Sequence, residues 1–389
     1  MKLFNSLLSS AIALTLTAGI PAVSTSAFSV ETETPPYSKT AEKNETAEKV
    51  AEQVREGFRN RSEIIEISVE PGDVYNSIFS DILAIVFEET DNPAEGDYIR
   101  TAMSHVHCRY RTNGQSALMT FEVEYNTSAE QEQYVNRRIT EILESLNVEN
   151  LDDYGKLCAI YEYIINNVDY AYDSPDKARF TAYGALRSGK AVCQGYTHLF
   201  YRLARECGIP CRMIMGVTAD GNHAWNIAAV DGVYYLFDST WDVYNSSVKN
   251  CDYFMKGSLD FDEADRKNPH IPNGADKKVN EFDIDYTSAE FAQLYPVAQY
   301  SYMKNSSAVY GTGDVNNSGT IDSADASLVM NAYSLLSVSG ASGLTAPQKK
   351  AADVNGDGVI DSKDASAILG YYSYVSTGGK DSIEYFLGR

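Results

Sequence analysis

Positive charge is scarce in this chain of 389 residues. There are 32 Lys and Arg against 54 Asp and Glu, a net charge of -22. Phosphate surfaces repel a protein of that sign, which argues against nucleic acid and anionic membrane as partners. It leaves carboxylates available for divalent cations. Cysteine is sparse too: Cys108, Cys158, Cys193, Cys207, Cys211 and Cys251 do not have the spacing of a dense disulfide scaffold. No apolar run beyond the start of the chain reaches the length of a membrane span. Within residues 1–27, Lys2 precedes an apolar stretch from Leu7 to Ile20 and the small residues Ser24 to Ala27, which reads as a secretory signal and an extracellular location. Only five histidines are present, so the choice of a general base is narrow.

Residues 28–45, rich at first in Thr, Glu and Pro, read as a linker. Over 46–147 the patterning predicts a small α+β region. Helical spacing in "TAEKVAEQVREGF" (46–58) is followed by alternation in "EIIEISVE" (63–70), an amphipathic helix in "DVYNSIFSDILAIVFEE" (73–89), and strands around "YIRTAMSHVHCRYR" and "SALMTFEVEY". His105 and His107 share one strand face without a nearby Cys or His partner, so their role is read as structural. A further segment, 148–295, opens with a helix over 151–171. "AVCQGYTHLFYRLARECG" then forms a second helix, with Leu199, Phe200, Leu203, Ala204 and Cys207 on one face and Gly208 at its stop. "CRMIMGVTA" and "HAWNIAAVDGVYYLFDSTW" read as strands, the latter a hairpin turning at Asp231-Gly232. Residues 296–312 are a linker, 313–378 a repeat unit and 379–389 a tail.

The repeat is the strongest signal. "DVNNSGTIDSADASLVMNAYSLL" from Asp314 and "DVNGDGVIDSKDASAILGYYSYV" from Asp353 agree at 12 of 23 positions. Each opens with a twelve-residue acidic loop whose positions 1, 3, 5, 7, 9 and 12 supply oxygens around a glycine, the arrangement Ca²⁺ requires. The first loop offers Asp314, Asn316, Ser318, the Thr320 carbonyl, Asp322 and Asp325. The second offers Asp353, Asn355, Asp357, the Val359 carbonyl, Asp361 and Asp364. No full helix is expected before the first loop, and position 12 is Asp, not Glu. The segment from Gly313 to Gly378 resembles dockerin, the calcium-binding module that attaches secreted bacterial enzymes to cohesin domains of a cellulosome scaffold. The resemblance implies two structural Ca²⁺ ions and a cohesin partner. It places the contacts at Ser323, Ala324, Met330 and Asn331, and at Ser362, Lys363, Leu369 and Gly370.

The other chemistry centres on Cys193. A cysteine nucleophile needs a base within reach and a group that orients the base. Cys193 is expected at a helix N-terminus, whose free N–H groups and dipole favour a thiolate. Of the histidines, His198 lies too far round the same helix and His270 lies in a polar loop. His223 opens the strand "HAWNIAAV", and pairing across Asp231-Gly232 makes Asp238 its diagonal neighbour on one sheet face. Asp238 is therefore placed to hold the His223 ring. "SGKAVCQGYTHLFYRLARECGIPCRMIMG", "GNHAWNIAAVDGVYYLFDSTWD" and the trailing "DYFMKG…NPH" resemble the transglutaminase-like superfamily, with Ser239 where many members carry Pro. That resemblance, over about 151–282, implies a papain-like catalytic core. It carries over Cys193 as nucleophile, His223 as base and Asp238 as orienting acid. For the oxyanion the Cys193 N–H is one donor; Tyr183 or Gln194 supplies the other, with Tyr183 preferred. The expected fold is thus α+β: a papain/transglutaminase-like core, an α+β N-terminal region and a small α-helical double-loop module. The expected function is cysteine-dependent attack on peptide-type amides without a catalytic cofactor. A protein-glutamine transglutaminase and a non-catalytic binding subunit are the alternatives.

Overall fold

The structure, a computed structural model, describes residues 40–172, 176–273, 286, 291, 294–302, 310–316, 318–339 and 342–388. The signal expected over 1–27 and most of the linker lie outside the described residues. The chain divides into two compact units. The first comprises Met1–Asn226, Asp238–Cys251 and Lys267–Ile284, and the second Ile227–Phe237, Asp252–Arg266 and Asp285–Arg389. Among the described residues, no helix is long and apolar enough to cross a membrane.

In the first unit, helix α1 (Thr40–Arg59) buries Ala47, Val50, Ala51, Val54 and Phe58, one face at helical spacing. These side chains share a core with α2 (Ile78–Val86) and with an antiparallel sheet ordered β1-β3-β2. Its strands are β1 (Ile64–Val69), β2 (Met103–Thr112) and β3 (Ala117–Tyr125), with Cys108 opposite Phe121 and Tyr110 opposite Met119. The His105 and His107 rings stack on this sheet at 6.5 Å.

Two elements differ from the sequence reading. The helix expected from residue 73 starts at Ile78, after a short turn at Pro71–Asp73. Tyr98 to Arg100, expected in a strand, lie in the short helix α3 (Asp97–Thr101). The cause is tertiary: the fully buried Asp97 carboxylate holds Arg100 one turn on at 3.4 Å and Arg212 from a distant strand at 2.7 Å. Helix α4 (Ala129–Leu146) follows, started by a reciprocal cap in which Ser128 Oγ accepts from the Gln131 N–H and the Gln131 side chain accepts from the Ser128 N–H.

Helix α5 (Asp153–Asn167) leads to strand β4 (Asp169–Tyr170), α6 (Ala182–Ser188), β5 (Lys190–Ala191) and α7 (Cys193–Glu206). The parallel pair β4–β5 sets Tyr170 opposite Ala191, two residues before Cys193. The position 147/148, expected to separate two domains, falls inside this first unit. Asp97 accepts from two of the guanidinium nitrogens of Arg212, Nε at 2.7 Å and Nη2 at 3.1 Å, and from the Met213 N–H. Gln194 donates to the Thr101 carbonyl at 3.0 Å, and His198 Nε2 meets Thr101 Oγ1 at 2.8 Å. The N-terminal region therefore braces the helix that carries Cys193.

Strands β6 (Cys211–Thr218), β7 (Gly221–Val230), β8 (Val233–Phe237) and β9 (Ile271–Pro272) form a sheet ordered β8-β7-β6-β9. Asp231 (φ 54°) and Gly232 (φ 78°) both adopt positive φ, the two-residue hairpin turn the sequence predicts. Gly216 is needed for a close approach: a Cβ there would meet the Trp225 ring at 2.4 Å and the Ile271 carbonyl at 2.3 Å.

In the second unit, helices α8 (Ser323–Ser339), α9 (Ala346–Ala352), α10 (Ser362–Ser376) and α11 (Ile383–Phe386) surround a core that includes Val315, Leu328, Val329, Val354 and Ile368. Ile321 and Ile360, at position 8 of the two loops, pack on that core.

Candidate active site

Val192 caps α7 with extended backbone and no side-chain hydrogen bond, so Cys193 is the first helical residue. Gly195 allows the close packing behind it, since a Cβ would meet the Arg179 carbonyl at 2.6 Å and the Ala191 Cβ at 2.7 Å. The thiol thus stands where the helix's unpaired N–H groups and positive dipole end converge. It is half-buried, whereas Cys108 and Cys211 are buried with thiols pushed up by desolvation. None of the six cysteines forms a disulfide among the described residues.

His223 on β7 and Asp238, just after β8, meet as the diagonal pairing predicts, with Nε2 to Oδ2 at 2.7 Å. The other Asp238 oxygen, Oδ1, accepts from the backbone N–H of Thr240 (2.8 Å) and Trp241 (3.4 Å). Burial alone would lower the basicity of His223. Asp238, followed by a hydrogen bond and charge interaction with Cys193, overrides it and raises the imidazole to about 10. Burial likewise raises Asp238, but His223 and then His270 hold its carboxyl well below the usual carboxylate range. The arrangement favours an imidazolium between two acidic groups.

His270 corrects the sequence reading. Far from lying in a polar loop, it is buried, with Nε2 3.2 Å from the same Asp238 Oδ2 and its ring 4.9 Å from Trp225 and 4.3 Å from Trp241. The signal for it was present in the trailing "NPH". Among the described residues, His223, Asp238 and His270 are the one trio of His, Cys, Asp or Glu with ligand atoms within 4.8 Å. The Nε2 atoms of both imidazoles lie at hydrogen-bond distance from one carboxylate oxygen, so each is read as a donor to it.

The two oxyanion candidates lie differently. The Gln194 amide is turned to Thr101, as above. The Tyr183 ring stands edge-on to Tyr134 of α4 at 5.5 Å. Tyr170 was not anticipated: its phenol is held protonated by burial and then by the charge of Cys193. His198 is a packing residue, buried against the Tyr98 ring and made a weaker base by desolvation, to about 3.

In the acidic loops, Asp314 accepts from the N–H of Ser318 and Gly319, and Asp353 from those of Gly356 and Gly358. Asp325 and Asp364 are fully buried and receive the N–H of Asp322 and Asp361. Burial raises both carboxyls above the ordinary value against these donors. Buried carboxylates of this kind, in an all-oxygen set, fit a hard divalent cation. Gly319 and Gly358 share φ 83°, as the loop turn requires. Of the expected partner-contact residues, Ser323, Met330, Asn331, Ser362, Lys363 and Leu369 are exposed, and Ala324 and Gly370 half-buried.

Comparison with known proteins agrees with this layout. Residues 141–239 match the transglutaminase-like superfamily and residues 312–371 the dockerin type I domain. The chain therefore carries a transglutaminase-like core and a C-terminal dockerin. Dockerin type I domains bind calcium, and the module implies a cohesin partner and association with a cellulosome. The kyphoscoliosis peptidases of Mus musculus and Homo sapiens are each 29% identical, over 28% and 26% of this chain. The match spans 18% of the length of either relative. Among solved structures, similarity extends to a TGase (TM-score 0.25, 16% identity, 39% of this chain and 48% of that one). It extends also to a Cytophaga hutchinsonii protein described as a candidate cysteine protease (TM-score 0.24, 20% identity, 36% of this chain and 58% of that one).

Proposed function

We propose that this is a secreted, cellulosome-bound cysteine-nucleophile enzyme that hydrolyses peptide-type amide bonds. The observation that carries it is one imidazole, His223, bonded to Asp238 at 2.7 Å and made more basic first by Asp238 and then by the neighbouring Cys193 side chain. In this reading His223 already holds the Cys193 proton as the imidazolium, and Sγ attacks the amide carbonyl as the thiolate. The C–N bond then breaks as His223 returns that proton to the leaving amine. Water, deprotonated by His223, attacks the thioacyl carbon and releases a carboxylic acid and the thiol. The peptidase name of the two curated relatives supports hydrolysis over amine transfer.

The second oxyanion donor is taken to be Tyr170 in preference to Tyr183. Tyr170→Phe should lower kcat by about 10²-fold, the cost of one such donor, while Tyr183→Phe stays close to wild type. The reverse ranking would restore the Tyr183 assignment. In the dockerin, the loops hold one Ca²⁺ each. The first offers three carboxylates (Asp314, Asp322, Asp325), and the second a fourth because Asp357 stands where the first has Ser318. Calorimetry should therefore find tighter binding at the second loop; equal affinities would sink that ranking.

The function itself is tested by profiling a peptide library with wild type and Cys193→Ala, with a labelled amine present. Cys193-dependent cleavage or ammonia release supports hydrolysis. Amine incorporation would replace it with the transglutaminase reading. A Cys193 that reacts with thiol reagents no faster than Cys158 or Cys251 would leave only a binding subunit.

A further inference from the structure

A buried carboxylate is seldom served by two imidazoles. Asp238 Oδ1 is already fixed by two backbone N–H groups, so its orientation does not depend on a side chain. Its Oδ2 nevertheless takes His223 at 2.7 Å and His270 at 3.2 Å, and the His270 side chain is wholly shielded from water. The two rings lie 5.4 Å apart, and His270 is walled by Trp225 and Trp241. Packing alone would be met at this position by an apolar ring. A nitrogen aimed at the oxygen that His223 uses points to electrostatics.

We propose that His270 is a positioning residue of the Cys193 centre that acts through Asp238: its Nε2–H shares the carboxylate charge with His223 and sets how much of that charge reaches the His223–Cys193 pair. The inference rests on the reading of Cys193, His223 and Asp238 given above. Titratable groups near the carboxylate include Cys193 and the phenols of Tyr161 and Tyr170, with the buried Asp242 carboxylate accepting the Tyr161 hydroxyl at 2.6 Å. Both phenols stay protonated because burial, and then nearby negative charge, raises them. Losing a donor to Oδ2 leaves the pocket more negative. Every proton in the Cys193–His223 pair is then held more tightly, and the whole reactivity profile moves to higher pH.

Alkylation of Cys193 by iodoacetate, followed by peptide mass spectrometry from pH 4 to 11, reads this without a substrate. The anionic reagent needs both the thiolate and the imidazolium. Because a donor to a charged group is lost, His270→Leu should shift the profile upward by about one on the pH scale and slow labelling on its acid side about tenfold. His270→Gln, whose amide can donate to Oδ2, should recover most of that loss. Thermal melts of both variants separate this effect from failure to fold. An unshifted profile in His270→Leu, or a Gln variant no better than Leu, overturns the inference while leaving the nucleophile in place. If wild-type Cys193 labels no faster than Cys251 and ignores His223→Ala, the underlying functional reading falls and takes this one with it.

Discussion

Asp238→Asn is expected to lower turnover of a peptide substrate by about 10³–10⁴-fold while the chain stays folded. An asparagine is the isostere, and in a site with free rotation its carbonyl could replace the carboxylate oxygen facing His223. Here it cannot. The backbone N–H groups of Thr240 and Trp241 both point at Oδ1 and require an acceptor there. The amide nitrogen must then occupy the place of Oδ2, where it faces Nε2 of both His223 and His270. His223 would have to accept through Nε2, which moves its proton to the nitrogen facing Cys193. A base that already carries a proton on its working nitrogen cannot take one from the thiol. The imidazolium form also loses the charge that raises it, so iodoacetate labelling of Cys193 should fall in parallel. Steady-state turnover and labelling rates check this together. An Asp238→Asn variant within tenfold of wild type in both would show that Asp238 orients nothing. A matched Asp238→Glu variant should lose activity by displacement rather than by tautomer, with labelling retained at low pH.

How much of this centre was legible depends on the range of each signal. The His223–Asp238 contact could be read because a two-residue turn fixes register, and register fixes which side chains share a face. Cys193 could be placed because a helix start is a local pattern. The acidic loops were legible because each carries all its donors within twelve residues, twice. His270 was not, because the stretch between Cys251 and His270 has no periodicity, and only β9, two residues long, brings it back beside Trp225. Tyr170 is similarly delivered by a two-residue strand pairing. The union of the N-terminal region with α7 was invisible for a different reason. It rests on Thr101 meeting Gln194 and His198, and beside it on Asp97 pairing with Arg212 of β6, 115 residues away. Charges that are destined for the interior look, in a sequence, like charges destined for water.

That hidden pairing gives the second large effect. Asp97→Ala should destabilise the first unit by about 3–5 kcal/mol, because it removes one partner of a buried ion pair and leaves the others. Asp97 is fully buried, and it serves Arg212 twice, Arg100 at 3.4 Å and the Met213 N–H. Glu89 also approaches Arg212 at 3.3 Å and accepts the Tyr201 hydroxyl, but it cannot take over those two guanidinium nitrogens and the strand N–H. For a unit of this size the melting temperature should fall by roughly 10 °C, seen by calorimetry with Ca²⁺ in excess so that the dockerin transition stays separate. The pH dependence follows from the two acids in opposite directions. Burial raises Asp97, but Arg212 and Arg100 outweigh it and its carboxyl is lowered. Its contribution is therefore full above the ordinary Asp value of about 3.9 and is lost only as pH falls below that. Glu89 is raised, first by burial and then by the charge of Asp97, so it opposes folding at neutral pH and ceases to as pH falls through its folded-state value. Mild acidification should accordingly relieve the Glu89 penalty in the wild-type first unit, against the loss that the buried His198, lowered to about 3, brings below the ordinary His value of about 6.5. In Asp97→Ala the like charge that raises Glu89 is gone, so this relief should shrink and the strong-acid loss should begin from a lower plateau. A variant that melts within 2 °C of wild type at pH 7 would mean that the helix bearing Cys193 stands without this brace.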